Sequence, residues 1–129
     1  MITRRAVMIA SALFTFASVP ALAGASAPYT DAAFEAAKKE NKPILIEIAA
    51  DWCPTCKAQA PILSDLLSDD DFKNMVALRV DFDAQKDVVR ALGAQSQSTL
   101  IVFLGEKEVG RSVADTQKES IEELMRRAF

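Results

Sequence analysis

The sequence predicts an α/β fold, because segments with strand and helix patterns alternate along most of its 129 residues. An almost uninterrupted apolar run, residues 44–50, is typical of a central strand covered on both faces. Apolar residues alternate with others over 76–82, which indicates a half-buried strand. A turn at 105–108 predicts a hairpin joining strands 99–104 and 109–113.

Helical patterns fill the intervals between these strands. The predicted helices cover residues 31–41, 53–67 with an interruption at Pro61, a short segment 72–75, 85–92, and the C-terminal stretch. Thr30 is the expected N-cap of the first helix, and Gly93 ends the fourth. Thr116 and Glu119 predict a capping box on the last helix. That helix is expected to bury Ile121, Leu124, Met125 and Phe129.

The N-terminus has the pattern of a secretory leader. Arg4 and Arg5 precede an uncharged apolar run that ends in Ala-Leu-Ala at 21–23. We therefore expect a signal peptide over 1–23, a linker over 24–28 and one domain over 29–129. An uncleaved membrane anchor is the alternative, although the run is short for a span. The two arginines leave open whether export uses the general secretory or the twin-arginine route.

The charge and cysteine content of the chain limit the kinds of partner and fold that it is expected to have. The chain has 15 Lys and Arg against 18 Asp and Glu, and loss of a leader carrying only Arg4 and Arg5 would take the net charge from −3 to −5. An acidic domain without a basic patch does not fit nucleic-acid binding. Two cysteines are too few for a disulfide scaffold.

Those two cysteines form a Cys-x-x-Cys motif at the junction of a strand and a helix. Unpaired N–H groups and the dipole at the helix start should stabilise a thiolate on Cys53, which we expect to face solvent and act as the nucleophile. Cys56, one turn later, would resolve the mixed disulfide. An inert disulfide would gain little from so short a loop. A zinc site needs four ligands and the chain has no histidine, so zinc or an iron–sulfur cluster would need two chains to pool their thiolates.

Trp52-Cys53-Pro54-Thr55-Cys56-Lys57 resembles the active-site motif of the thioredoxin superfamily. Pro61 matches the proline in that family's active-site helix, and Glu47 matches its buried acid. The resemblance covers residues 29–129 and implies a thioredoxin-like three-layer α/β/α sandwich with a central mixed sheet. It also implies that the redox-active Cys53–Cys56 disulfide works without a separate cofactor, and that no metal is bound.

Glu47 interrupts the apolar strand before the motif. A carboxylate between Ile46 and Ile48 would be costly to bury ionised, so we expect it to act as a general base for Cys56. The alternative is an acid on an edge strand that reaches solvent.

Further residues are expected to contact the substrate. Trp52, Pro54 and Thr55 flank the sulfurs, with core packing as the alternative role of Trp52. In the resembling family a cis-proline lies opposite the dithiol, and here Ser98 takes its place.

The loop around Ser98 therefore departs from the family pattern. Gln97, Ser98 and Thr99 would line the edge that pairs with an extended client. A cis bond before a residue other than proline costs about 2.5–4 kcal/mol, so we predict a trans Gln97–Ser98 bond lying against the dithiol.

The Pro54-Thr55 dipeptide resembles that of cytochrome c maturation reductases, and Ala50 to Cys53 resembles soluble thioredoxin-like domains of membrane electron carriers. These resemblances imply a monomeric periplasmic thiol:disulfide oxidoreductase that reduces client protein disulfides. An integral-membrane thiol electron carrier would recharge it. The alternatives are an oxidant of folding proteins, a non-catalytic binding module, and a chaperone-like protein with an inert cysteine pair.

Overall fold

The computed structural model describes residues 25–129, so the predicted leader lies outside the described residues. In this part of the chain the strands are β1 Ala27–Pro28, β2 Pro43–Ala49, β3 Val76–Asp81, β4 Thr99–Leu104 and β5 Lys107–Val113. The helices are α1 Asp31–Lys39, α2 Pro54–Ser68, α3 Lys86–Ala91 and α4 Lys118–Arg126, with a 3-10 turn at Asp70–Phe72. Between residues 25 and 129, every helix is too short or too polar to span a bilayer.

The five strands form one mixed sheet in the order β1-β3-β2-β4-β5. β3 runs parallel to both β1 and β2, whereas β4 is antiparallel to β2 and β5 is antiparallel to β4. Leu45 of β2 packs with residues of α2 and α4, while Ile44 and Ile46 pack with residues of α1 and α3. This alternation places two helices on each face of the sheet and confirms the three-layer α/β/α sandwich.

Strand β1 lies within the segment predicted to be a linker. Ala27 and Pro28 pair with Leu78 and Arg79, so they extend the sheet at its edge, where a proline is tolerated. Because β1 covers the outer side of β3, that strand lies inside the sheet. On the face predicted to be open, Ala77 is buried, Arg79 is partly exposed and Asp81 is exposed, so the strand is half-buried as predicted except at Ala77.

The start of α4 also differs from the prediction. Thr30 does cap α1, accepting a hydrogen bond from the N–H of Ala33. The expected capping box at Thr116 is wrong, because α4 begins one residue later with Gln117 as its N-cap. Asp115 instead accepts hydrogen bonds from the Gln117 N–H and the Ser120 hydroxyl.

The buried stripe of α4 contains Ile121, Leu124 and Met125, as predicted, but not Phe129. The helix ends at Arg126, so the helical spacing no longer holds at the C-terminus. Phe129 is 59% exposed, although its ring lies at 77° to the Phe72 ring with the centroids 5.6 Å apart, whereas Ala128 is buried.

Candidate active site

Cys53 lies at the N-cap of α2, one tight turn after the end of β2. Pro54 follows at the first helical position, where the missing N–H costs no hydrogen bond. The backbone N–H of Cys56 donates to the Cys53 sulfur over 3.1 Å. The helix runs through Pro61 as one element, so the predicted interruption there is not observed.

Both sulfurs are covered, which corrects the expectation that Cys53 faces solvent. Cys53 is 1% exposed and Cys56 is 4% exposed, and both are free thiols that pack with Ala49 and Ala50.

The loop before β4 also lies against the dithiol, with Ser98 opposite the two sulfurs. The Gln97–Ser98 bond is trans, as predicted. Ser98 is 3% exposed, and its hydroxyl oxygen lies 3.0 Å from the Cys53 sulfur and 3.1 Å from the Cys56 sulfur. Its φ of +61° is in the left-handed region, which disfavours residues other than glycine.

At Cys53, groups that lower the thiol pKa outweigh burial, which raises it. Burial raises the pKa of this thiol, but the neighbouring Cys56 and Ser98 side chains and the backbone N–H groups of Cys56 and Thr55 hold the pKa below its usual value. The site therefore favours a thiolate on Cys53, the reactive form of cysteine.

Gln59 is a site residue that the sequence reasoning missed. It is 1% exposed, and its side-chain nitrogen donates to the carbonyls of Ser98 at 3.3 Å and Asp115 at 2.8 Å. The backbone N–H of Ala114 donates to the same Ser98 carbonyl. One signal was available, because Gln59 falls on the inward stripe of α2 between Cys56 and Leu63, where an apolar side chain is expected.

The remaining candidate substrate-contacting residues differ in position. Trp52 is 57% exposed and its ring N–H donates to Asp83 over 2.6 Å, so it is not a core residue. Thr99 is buried and its hydroxyl donates to the Ser96 carbonyl, so its side chain closes the loop and does not line a surface. Gln97 is half-buried beside them.

Glu47 is buried in the central strand β2, which contradicts the alternative of an edge-strand acid. Its carboxylate accepts a hydrogen bond from the Ser26 hydroxyl at 2.9 Å and lies 3.8 Å from a guanidinium nitrogen of Arg79. It lines a cavity of about 230 Å³ between the sheet and α2, together with Ala60 and Ser64. Within residues 25–129, no hydrogen bond joins Glu47 to either cysteine.

Comparison with known proteins identifies the family. The family model described as Thioredoxin matches residues 25–127. The chain belongs to the thioredoxin family. It is 32% identical over 93 residues to the thioredoxin of Alicyclobacillus acidocaldarius, covering 72% of this chain and 88% of that protein.

Two further relatives agree with this assignment. The chain is 34% identical over 100 residues to the bifunctional thioredoxin reductase/thioredoxin of Mycobacterium leprae, covering 77% of this chain but only 22% of that longer protein. The crystal structure of Trxlp from Edwardsiella tarda EIB202 superposes with a TM-score of 0.74 at 35% identity, covering 76% of this chain and 95% of that one. Thioredoxins are thiol:disulfide oxidoreductases, and this family member, with its Cys53–Cys56 pair, is one as well.

Proposed function

We propose that this thioredoxin-family protein is exported to the periplasm and reduces protein disulfides there. The observation that carries the proposed chemistry is the Cys53 sulfur, which accepts the Cys56 N–H at the start of α2, has a lowered pKa and lies one helical turn from the Cys56 thiol. The Cys53 thiolate attacks a client disulfide, so that a Cys53–client bond forms and one client sulfur leaves. Cys56 then attacks Cys53, the internal disulfide forms, and the second client sulfur is released.

The oxidised pair must be reduced again for a second turnover. We propose an integral-membrane thiol electron carrier as the donor of those two electrons, as in the cytochrome c maturation branch that the Pro54-Thr55 dipeptide resembles. The client would approach as an extended chain over the exposed Trp52 ring and past the half-buried Gln97. A monomer suffices for this chemistry, and nucleic acid has no part in it.

Client trapping tests the catalytic cycle. Cys56→Ser leaves the nucleophile intact but removes the resolving thiol, so client proteins should remain covalently attached to Cys53 after expression in an exporting bacterium. Cys53→Ala should trap nothing and should lose insulin-disulfide reduction completely. Clients that bind Cys53→Ala as well as the unsubstituted protein would support a non-catalytic binding module.

Export is tested separately on the mature N-terminus. Cleavage after Ala23 should give a protein that begins at Gly24 in mass spectra of a periplasmic extract. An intact N-terminus in the membrane fraction would contradict cleavage and favour an anchor.

One observation favours the reverse direction of electron flow. Hydrogen bonds that stabilise the Cys53 thiolate stabilise the reduced pair, which is the property that makes a thioredoxin-fold protein an oxidant. Equilibration with glutathione discriminates between the two functions. A potential of about −270 mV would support the reductase, and one of about −120 mV would support an oxidant of folding proteins.

A further inference from the structure

A single hydroxyl lies between the two reactive sulfurs. The Ser98 oxygen is within hydrogen-bond distance of both, at 3.0 Å from Cys53 and 3.1 Å from Cys56, and all three side chains are buried. A serine hydroxyl has one proton to donate and lone pairs that accept. It therefore serves both sulfurs only if it donates to one and accepts from the other.

The charge on the sulfurs fixes the direction of these two bonds. A Cys53 thiolate has no proton, so it accepts from the Ser98 hydroxyl as it does from the Cys56 N–H. With the charge of the pair on Cys53, the remaining S–H belongs to Cys56, and the Ser98 oxygen at 3.1 Å is placed to accept it. The result is a directed chain from the Cys56 S–H through the hydroxyl to the Cys53 thiolate.

The backbone of Ser98 is held in place at a cost. A residue other than glycine at φ +61° costs roughly 1–2 kcal/mol, and the side-chain oxygen of Gln59 is buried without a hydrogen-bond partner among the described residues. Turning the Gln59 amide over would place that oxygen against two carbonyls, so the observed orientation is the favourable one. The hydrogen bonds donated by Gln59 fix the Ser98 backbone at this strained φ, and this backbone places the Ser98 hydroxyl against the dithiol.

We propose that Ser98 is a catalytic residue of the dithiol, donating to the Cys53 thiolate and accepting from the Cys56 thiol, and that Gln59 is the positioning residue that holds it there. The proposal rests on thiol–disulfide exchange at this site and is independent of its direction, its client and its compartment.

The same hydroxyl serves both steps of exchange. While Cys53 attacks, the hydroxyl stabilises its thiolate. Once Cys53 is bonded to a client sulfur it carries no charge, and the hydroxyl turns to donate to Cys56 as that thiol ionises. The Cys56 sulfur then bonds to Cys53 and the client sulfur leaves with the electron pair of the broken bond. The Cys56 proton ends on a client sulfur, so the client gains two electrons and the dithiol loses them.

Removal of the hydroxyl should raise the pKa of Cys53. A hydrogen bond to a charged group is worth about 1.5–3 kcal/mol, so Ser98→Ala should lower the acid dissociation constant of Cys53 by roughly tenfold or more. The thiolate's ultraviolet absorbance and the pH dependence of iodoacetamide labelling both measure this. Ser96→Ala, the same substitution two residues earlier, is the matched control and should leave the constant unchanged.

Ser98→Gly separates the hydroxyl from the backbone. Glycine adopts φ +61° without strain, so this variant keeps the loop while removing the same oxygen, and circular dichroism checks its fold. Equal effects of Ser98→Ala and Ser98→Gly would support the proposal. A Cys53 dissociation constant within twofold of the unsubstituted value in either folded variant would overturn it.

Gln59→Met tests the positioning role. Methionine is similar in length but cannot donate to the Ser98 carbonyl, so the dissociation constant of Cys53 should fall by a smaller factor than in Ser98→Ala. In the double variant the Gln59 substitution should add nothing, whereas a purely structural role would give additive effects.

The unsubstituted protein provides a measurement that no folding defect can obscure. The Ser98 Cβ resonance should titrate with the Cys53 thiolate, and a resonance that does not move would contradict the hydrogen bond. All these readouts need only the isolated reduced protein. Failure of insulin reduction or client trapping would therefore count against the proposed function without changing these measurements, and an unmoved Cys53 dissociation constant would count against the role of Ser98 alone.

Discussion

At the scale of single residues, the dithiol has three polar neighbours with different relations to it. Ser98 touches both sulfurs and Gln59 holds the Ser98 carbonyl, whereas Glu47 is engaged by Ser26 and Arg79. The cavity beside Glu47 has room for water, but Cys56 is not among the residues that line it.

The prediction that Glu47 is the general base for Cys56 can be tested by substitution. Glu47→Gln should slow resolution of a pre-formed Cys53 mixed disulfide by roughly 10²-fold or more while leaving the pKa of Cys53 unchanged. Stopped-flow release of a fluorescent thiol measures the rate. Glu106→Gln, on the exposed hairpin turn, is the control. Unchanged resolution in Glu47→Gln would remove the carboxylate from the mechanism.

The lowered pKa of Cys53 also predicts a pH dependence of stability. Between the folded pKa and the usual value of 9.0, the unfolded chain binds a proton that the folded chain does not. The free energy of unfolding of the reduced protein should therefore rise with pH through this window. The stabilisation reaches its full size above the pKa that Cys53 has in the unfolded chain. The contribution is lost as the pH falls through the folded pKa. Urea unfolding at several pH values measures it, and Cys53→Ala should lack this rise.

At the scale of helices and strands, local patterns predicted most elements but not their tertiary neighbours. The apolar run of β2 and the Thr30 cap of α1 are encoded within a few residues, and both were recognised. Strand β1 contributes only two residues, and its pairing with β3 depends on a contact about fifty positions away. The role of Gln59 likewise depends on carbonyls that only the folded chain brings near it. Contacts of this kind have no local sequence signature.

Two glycines at element ends allow a matched test of close packing. Gly105 begins the β4–β5 turn at φ +57°, and a Cβ there would lie 3.3 Å from the Asn41 Cα. Gly93 ends α3 at φ +67°, but a Cβ there would meet only the tip of Arg111 at 4.0 Å. Both alanine substitutions should lower the free energy of unfolding by roughly 1–2 kcal/mol, because alanine is disfavoured in the left-handed region. Gly105→Ala should cost about 1–3 kcal/mol more because of overpacking. Urea unfolding compares them, and equal losses would refute the close approach.

At the scale of the whole molecule, the redox potential and the folding equilibrium are linked. The oxidised and reduced forms can each be unfolded, so these four states form a thermodynamic cycle. If the folded pair is more reducing than the same pair in the unfolded chain, folding favours the disulfide and the oxidised protein is the more stable form. If the folded pair is more oxidising, the reduced protein is the more stable form. Every 30 mV of difference corresponds to about 1.4 kcal/mol.

The proposed reductase therefore makes a prediction that needs no client. Its oxidised form should unfold at a higher urea concentration than its reduced form. A more stable reduced form would contradict the reductant and support the oxidant of folding proteins. Ser98→Ala should increase the stability of the oxidised form relative to the reduced form, because it removes a hydrogen bond that stabilises the reduced thiolate. Ser96→Ala should not shift it. Paired urea titrations of the two redox forms at neutral pH measure both differences, and a Ser98→Ala shift toward the reduced form would contradict the hydroxyl's role as a donor to Cys53.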